Sequence, residues 1–174
     1  MGIETLLVDS IKGNNTLIKV VSFDPGETTG MCVFEGSKLM LASQYKAKTV
    51  PEGAAFIHDF LESWRPDVVV MEMYRIYSWK AEDHSWQNLF TPRLIGAIQY
   101  ICHTLKLPLT EQTAQQAKGF CTDERLRAWG LYQEGQRHAR DSIRHACYYL
   151  LFTVARVQDP NFKPAVPAIS GGNT

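Results

Sequence analysis

The sequence predicts an α/β fold in which helices cover both faces of a mixed, five-stranded sheet. Three strand-like segments come first, helical and strand-like segments then alternate, and the last part of the folded region is helical. Short apolar runs between turn residues are typical of strands, whereas apolar residues recurring every three to four positions are typical of helices. Because both kinds of segment occur along one chain, layering helices on a sheet is the arrangement that buries their apolar faces.

The first three strands form an antiparallel opening to the predicted sheet. They cover residues 17–24, 30–35 and 38–45. The first run is rich in β-branched and aromatic residues and is followed by Pro25-Gly26, a common turn dipeptide; a hairpin turn centred on Gly36 joins the other two. Asp24 is thus predicted at the end of a buried strand, either as a functional carboxylate or as a residue that only caps the turn.

Helices and central strands follow after residue 50. The predicted helices cover residues 51–64, 94–105, 113–120, 122–131 and 136–156, and the predicted strands cover residues 66–71 and 107–111. Because side chains alternate between the faces of a strand, Glu72 shares the face of Val68 and Val70. It is a second candidate carboxylate, with an ordinary surface position as the alternative. Residues 73–93 combine aromatic and charged side chains without clear periodicity, which predicts a long functional loop.

The length of the chain predicts one domain, and its charged residues give that domain a net charge near zero. The 174 residues suffice for a single core, which we expect within residues 17–156, between an N-terminal extension (1–16) and a mobile tail containing Pro and Gly (157–174). Eighteen basic and eighteen acidic side chains cancel, so net charge neither demands nor excludes a polyanionic partner.

Cysteine spacing and hydropathy predict a reduced, cytoplasmic protein. The four cysteines have no CxxC spacing and lie mostly in apolar segments, where buried thiols are common. No apolar run approaches the ~20 residues that span a bilayer, and the N-terminus lacks a cationic and apolar leader. We therefore expect no membrane association.

The last predicted helix carries three kinds of side chain on three faces. His138 and Asp141 lie three residues apart and so share a face, which His145 extends. The apolar stripe comprises Ala139, Ile143, Ala146, Leu150 and Val154, and the basic stripe comprises Arg137, Arg140 and Arg144. Taken alone, the helix fits an ordinary amphipathic surface helix. Together with Asp24 and Glu72 it adds a third acidic element.

These motifs, in this order, resemble the RuvC-like Holliday junction resolvases of the RNase H-like superfamily, especially the phage-encoded branch. The resemblance covers roughly residues 17–152 and rests on the Asp24-Pro-Gly turn with Thr29-Gly30, the strand ending in Glu72, and the helix opening with His138-Ala-Arg-Asp141. Residues 71–75 and 91–96 also look like the phage branch. The resemblance implies an RNase H-like fold and a metal-dependent endodeoxyribonuclease that leaves 5′-phosphate ends.

Carried over by position, the resemblance makes Asp24, Glu72, His138 and Asp141 the metal-binding and catalytic cluster. Two hard divalent cations ~4 Å apart can stabilise charge on the attacking and leaving oxygens of a phosphodiester, and carboxylates suit Mg²⁺. Asp24 would bridge the two Mg²⁺ ions, with Glu72 and Asp141 completing their ligand sets. His138 departs from the commoner family pattern, which has Asp there, so the site carries one charge less and can accept Mn²⁺.

The resemblance also implies a homodimer that binds four-way DNA and nicks two strands symmetrically. The dimer contact is predicted in helix 94–105, because its apolar stripe is flanked by the loop that would face DNA. An aromatic residue of the loop, Tyr74 or Tyr77, would wedge into the junction, with packing within the loop as the alternative. The predicted DNA contacts are Tyr74, Arg75, Tyr77, Lys80, Arg93, Lys118, Arg125, Arg137, Arg140 and Arg144.

Three other functions fit parts of the pattern. A nucleotide-binding protein of the actin-like superfamily could use residues 24–30 as a phosphate-binding turn, but it requires a second, duplicated domain. A catalytically inactive DNA-binding module would be expected to lack a carboxylate, and all three are present. A less selective nuclease for flaps and other branched DNA has the same residue requirements as a resolvase. If the chain is phage-encoded, its location would be the bacterial host cytoplasm.

Overall fold

The computed structural model describes residues 18–74 and 89–154. The strands are β1 (Lys19–Asp24), β2 (Thr28–Glu35), β3 (Lys38–Lys46), β4 (Val68–Glu72) and β5 (Leu109–Gln112). The helices are α1 (Val50–Trp64), α2 (Phe90–Thr104), α3 (Ala114–Phe120), α4 (Asp123–Ala128) and α5 (Arg137–Tyr149), and a π-helical turn (Leu150–Val154) continues from α5. The predicted N-terminal extension and C-terminal tail fall outside the described residues.

The five strands form one mixed sheet in the order β3-β2-β1-β4-β5. Strands β1, β2 and β3 pair antiparallel, whereas β1, β4 and β5 run parallel. The prediction of a mixed five-stranded sheet is therefore confirmed. Because β1 and β4 are parallel neighbours, their carboxyl ends meet at the same edge of the sheet.

Helices cover both faces of the sheet, as the sequence predicts. On one face, α5 packs on a buried cluster that includes Val20 and Val70. On the other face, α1 and α2 pack on a cluster that includes Val21 and Met71. Adjacent residues of one strand thus point to opposite cores, which is the alternation expected of a central strand. The same alternation directs Asp24 and Glu72 towards the α5 face.

Local signals set the ends of most helices. Thr49 caps α1, accepting a hydrogen bond from the Glu52 amide, and Pro51 lies in the first turn, where its missing N–H is tolerated. Thr113 and Gln116 form a capping box at the start of α3. These caps explain why the predicted boundaries of both helices are within one residue of the observed ones.

Helix α2 begins earlier than predicted, so the predicted loop over residues 73–93 is wrong at its end. The helix starts at Phe90 rather than near residue 94, and Leu89 precedes it without a side-chain cap. Pro92 lies in its first turn, where a residue without an N–H breaks no helical bond. Residues 75–88 of the predicted loop lie outside the described part of the chain.

The apolar stripe of α2 is used within the protomer. Ile95, Ile98, Ile101 and Cys102 are buried in the core that α2 shares with α1 and the sheet. The apolar stripe is thus occupied within the protomer and is not free to contact a second copy, while a dimer contact through this helix stays a prediction. The face of α2 that remains exposed carries Tyr100, which is 69% exposed.

The four cysteines are buried, as the sequence predicts. Cys32, Cys102, Cys121 and Cys147 are buried free thiols. Burial raises the pKa of Cys32 and of Cys121 to about 12, so both remain protonated at neutral pH. Within residues 18–74 and 89–154, none of the helices has the length and hydropathy required to cross a membrane.

Candidate active site at the edge of the sheet

Asp24 stands at the end of β1, where the chain turns back into β2. The turn is closed by the Thr29 hydroxyl, which donates to the Gly26 carbonyl at 2.9 Å. Asp24 is only 9% exposed. Burial raises the pKa of Asp24, and the charges of Glu72 and Asp141 raise it further, against a lowering hydrogen bond with His138. The fold thus holds this carboxylate in a place that is unfavourable for a lone negative charge.

Glu72 lies beside Asp24 because β4 runs parallel to β1. Phe23 and Met71 are register partners, and the residue after each is one of the two carboxylates. Oε2 of Glu72 lies 2.9 Å from Nζ of Lys118 and 3.1 Å from Nε2 of His145. Burial alone would raise the pKa of Glu72, but the hydrogen bonds with His145 and Lys118 outweigh it and the pKa is lowered.

Helix α5 brings the third acidic element onto the same edge. Nδ1 of His138 lies 2.8 Å from Oδ2 of Asp24, and Oδ2 of Asp141 lies 3.1 Å from Nζ of Lys118. His145, one turn further, contacts Glu72. The face predicted from the spacing of these three residues is therefore the face that meets the strand ends.

Gly30 permits this close approach of α5 to the sheet. Gly30 is the register partner of Asp24. A Cβ built on Gly30 would lie 1.9 Å from the carbonyl oxygen of His138 and 2.8 Å from the Ala139 nitrogen. No side chain can occupy that space unless the helix moves. Glycine at position 30 is thus a condition for the contact between His138 and Asp24.

Lys118 occupies the centre of the carboxylate cluster. It projects from α3, and its ammonium group contacts both Glu72 and Asp141. Burial alone would lower the pKa of Lys118, but the hydrogen bond to Glu72 and the charges of Asp141, Glu72 and Asp24 outweigh it and raise the pKa. The sequence suggested a DNA contact for this lysine; the structure places it where a cation neutralises the acidic cluster.

Arg144 binds the oxygen of Asp141 that does not contact Lys118. Its guanidinium forms ion pairs with Asp141 and Asp123, and its Nε donates to the Cys121 carbonyl at 2.9 Å. The Arg144 side chain is 12% exposed. These contacts join α4 to α5 and fix one oxygen of Asp141. The Arg144 guanidinium is thus engaged within the protein, which is unlike a side chain free to hold a DNA phosphate.

The donor set fits hard divalent cations. Three carboxylates and one imidazole converge on one edge of the sheet, and the Lys118 ammonium stands between two of the carboxylates as a cation would. The four predicted ligands are more widely spread than a ligand set for one ion. Among the described residues, only His58, Asp59 and Glu62 place three potential ligand atoms within 4.8 Å of one another.

That tighter group lies on α1 and is a different feature from the predicted site. His58, Asp59 and Glu62 are on the outside of the helix, and the side chains of Asp59 and Glu62 are 82% and 59% exposed. Exposed acidic groups of this kind are common without a metal. We attach no function to them.

The other predicted DNA contacts have different surroundings. The Arg125 guanidinium lies over the Phe120 ring and donates to the backbone carbonyl of Phe120. Arg140 donates to the backbone carbonyl of Gln133 at 2.7 Å. Arg93 and Arg137 are exposed. Tyr74 is partly buried against the core below α1 and α2. Arg75, Tyr77 and Lys80 lie outside the described residues.

His145 and Gln112 belong to the site, although the sequence analysis did not assign them to it. Gln112 ends β5 and is the register partner of Glu72. Its Oε1 lies 3.0 Å from Nδ1 of His145, so buried Gln112 and His145 form one row with the partly exposed Glu72. Helical spacing had placed His145 on the acidic face of its helix. Gln112 carried no comparable signal, because its role depends on the pairing of β5 with β4.

The fold is similar to that of solved Holliday junction resolvases. The structure of Thermus thermophilus RuvC in complex with Holliday junction substrate matches at a TM-score of 0.64 and 17% identity, over 85% of this chain and 99% of that chain. Another Thermus thermophilus RuvC structure matches at a TM-score of 0.61 and 17% identity, over 85% of this chain and 100% of the other. The yeast mitochondrial Holliday junction resolvase Ydc2 matches at 0.54 and 16% identity, over 89% of this chain and 86% of that chain.

No protein-family model matches the chain, and no curated protein sequence matches it. The structural likeness extends over nearly the whole length of the matched resolvases despite low identity. The chain therefore has the RNase H-like fold that its motifs predict.

Proposed function

We propose that the protein is a metal-dependent endonuclease that resolves four-way DNA junctions by paired, symmetric nicks. The observation that carries the proposal is the convergence of Asp24, Glu72 and Asp141 around the Lys118 ammonium at the carboxyl edge of β1 and β4. Asp24 and Asp141 are buried and the Glu72 side chain is 22% exposed. Keeping three carboxylates together at one shielded edge is costly, so a catalytic role is the most economical reason for them. The solved resolvases named above supply the substrate class.

The residues have distinct parts in this proposal. Asp24, Glu72 and Asp141 would hold the cations, and Arg144 keeps Asp141 oriented from the side away from Lys118. His138 receives support at Nδ1 from Asp24, so its Nε2 is the atom that can bind an ion or hold a proton. Lys118 neutralises Glu72 and Asp141 in the metal-free protein and can turn to a phosphate in the complex.

Divalent cations would supply the stabilisation of negative charge on the attacking and leaving oxygens of the hydrolysed phosphodiester. Two Mg²⁺ ions suit the three carboxylates, and the imidazole of His138 makes Mn²⁺ an effective substitute. We expect 5′-phosphate and 3′-hydroxyl ends. We further propose a homodimer acting in recombination, repair or phage DNA processing in the cytoplasm, with a bacterial host if the chain is phage-encoded.

The DNA-binding surface is proposed around the acidic edge. Arg93 and Arg137 are exposed, and Lys118 has 35% of its side chain exposed beside the carboxylates. Such cations would hold phosphates, while junction selectivity would come from the spacing of two sites in a dimer. Arg75, Tyr77 and Lys80 remain sequence-based candidates for the same surface.

The test compares four DNA substrates under two metals. Purified protein is incubated with a mobile four-way junction, a flap, a duplex and single-stranded DNA, each with Mg²⁺ or Mn²⁺. Paired symmetric nicks in the junction alone support the proposal. Equal cutting of flaps and junctions would instead identify a general branched-DNA nuclease, and junction binding without any cutting would identify an inactive binding module.

Asp24→Asn, Glu72→Gln and Asp141→Asn should each lower junction cleavage at least ~10³-fold, because each removes a charge from the proposed cation site. Junction affinity, measured by gel shift in EDTA, should stay within about threefold of wild type, since none of these carboxylates would bind phosphate directly. Asp59→Asn is the matched control and should leave cleavage unchanged, because Asp59 lies on α1 with its side chain 82% exposed and has no contact with the site. Wild-type rates in any of the three site variants would overturn the assignment.

A further inference from the structure

His145 lies fully buried behind Glu72, in contact with two strand ends at once. The ring is 0% exposed, with Nε2 at 3.1 Å from Oε2 of Glu72 and Nδ1 at 3.0 Å from Oε1 of Gln112. Glu72 and Gln112 are register partners at the ends of neighbouring parallel strands, so their side chains emerge together. Helix α5 places the imidazole across both.

The hydrogen-bonding capacity of each group determines which atoms donate and which accept between Gln112, His145 and Glu72. A neutral imidazole has one donor and one acceptor nitrogen, and an ionised carboxylate only accepts. Nε2–H of His145 therefore donates to Glu72, which leaves Nδ1 as an acceptor. In the structure Oε1 of Gln112 faces Nδ1 at 3.0 Å; because a half-turn of the amide group exchanges its oxygen and nitrogen at little cost in shape, Gln112 can present its nitrogen instead and donate to Nδ1. The order is then Gln112 to His145 to Glu72, with every polar atom of the ring satisfied.

Glu72 has more need of such support than the other two carboxylates. Its side chain has one more rotatable bond than that of Asp24 or Asp141, and it is 22% exposed. Lys118 contacts the same oxygen, but a cation entering between Glu72 and Asp141 would displace the ammonium group. The contact with His145 comes from the protein interior and does not compete with a cation from the open side.

We propose that His145, held in turn by Gln112, is a positioning residue that fixes the Glu72 carboxylate for cation binding. The inference rests on the proposed function, since it assigns a supporting pair to the same site. His145 acts through Glu72 and does not touch the substrate. Partners of this kind, which orient a metal ligand, typically change metal affinity or activity by about 10- to 100-fold when they are removed.

The test compares two substitutions that differ in one donor. His145→Leu fills the space without a hydrogen-bond donor, whereas His145→Gln carries an amide N–H that can reach the position of Nε2–H. Calorimetry with Mn²⁺ should show a roughly tenfold weaker affinity for His145→Leu and an affinity within about threefold of wild type for His145→Gln. In cleavage assays kcat should fall with the same ranking, while KM for the junction stays within about twofold.

Thermal melting in EDTA identifies variants that have lost the fold. If His145→Leu does not fold, Gln112→Leu takes its place, because it leaves the ring present but unsupported; it should weaken Mn²⁺ binding about three- to tenfold. A folded His145→Leu, or in its place a folded Gln112→Leu, with wild-type Mn²⁺ affinity would overturn the inference. So would a folded His145→Gln that binds Mn²⁺ no better than His145→Leu.

The cation measurement separates this inference from the proposed function. Loss of Mn²⁺ affinity in His145→Leu, in a protein that never cleaves a junction, would overturn the nuclease proposal and support the positioning role. Junction cleavage by the wild type, combined with unchanged Mn²⁺ affinity and kcat in folded His145→Leu, would overturn the positioning role alone.

Discussion

Asp24 and Glu72 affect the stability of the metal-free protein in opposite directions. The pKa of Asp24 is raised, mainly by burial, so the folded state binds a proton more tightly than the unfolded state and loses stability as pH rises through the folded pKa. The pKa of Glu72 is lowered despite its burial, through its bonds to His145 and Lys118. Its contribution is present above the unfolded pKa and is lost as pH falls through the folded pKa.

This contrast predicts that Asp24→Asn makes the metal-free protein more stable at pH 7, whereas Glu72→Gln makes it less stable. Asparagine removes a buried charge and can still accept a hydrogen bond from His138, but glutamine leaves Lys118 and His145 without their anion. We expect shifts of roughly 2–4 °C in melting temperature, the change that about 1 kcal/mol produces in a chain of this size. Melting in EDTA measures both.

The pH dependence provides the control for this prediction. Below its raised pKa the wild-type Asp24 is protonated, so the advantage of Asp24→Asn should shrink as the pH is lowered through the pKa of Asp24 in the folded protein. A pH-independent gain would point to a cause other than the buried charge. A lower melting temperature for Asp24→Asn at neutral pH would contradict the prediction outright.

The residues of the site differ in how far the sequence could predict them. Asp24 and Glu72 follow from strand parity and turn chemistry, and the three-residue spacing of His138 and Asp141 puts them on one helical face. The place of Lys118 depends on the direction of α3, a helix of seven residues, relative to the sheet. Gln112 depends on which strand pairs with β4. Such long-range arrangements leave no periodic trace in the sequence.

At the scale of elements, the site depends on how closely α5 approaches the first two strands. Gly30 provides the contact point, since a Cβ there would overlap the first turn of α5. The apolar stripe predicted α5, and a strand-like run followed by a hairpin turn predicted β2. How closely α5 approaches β2 could not be predicted, because a glycine after Thr29 is equally compatible with an ordinary turn.

The early start of α2 could not be predicted either, since Leu89 gives no capping signal.

Gly30→Ala should therefore reduce junction cleavage about 10²-fold or more, because displacement of His138 by ~1 Å is enough to misalign a catalytic group. It should also lower the melting temperature, since the added Cβ meets backbone atoms rather than a flexible side chain. Cleavage rates and thermal melting measure the two effects. Unchanged cleavage would show that the contact between α5 and Gly30 has no part in the activity.

Gly96→Ala is the matched control for that substitution. Gly96 lies in α2, and a Cβ built on it has no neighbour within 4 Å. Alanine should raise stability by about 0.5–1 kcal/mol, as expected in a helix interior, and leave cleavage unchanged. The same chemical change would thus have opposite effects at the two positions.

At the scale of the whole molecule, one protomer offers one acidic edge, while paired nicking of a junction requires two. The exposed face of α2 is the candidate contact, because its apolar stripe is already buried and Tyr100 is 69% exposed on the opposite side. Tyrosine is among the residues enriched at the centres of protein interfaces. A contact through this face would fix the distance between two copies of the site.

Tyr100→Glu should therefore convert the proposed homodimer into a monomer, because it places a charge at the centre of the contact. Light scattering at micromolar concentration would report the mass. On a supercoiled plasmid carrying a cruciform, the dimeric wild type should give linear product from two nicks in one complex, and the variant mainly nicked circles. Met40→Glu is the control, since Met40 is 40% exposed on β3 and should change neither readout. A dimeric mass and linear product from Tyr100→Glu would exclude this face of α2 as the dimer contact.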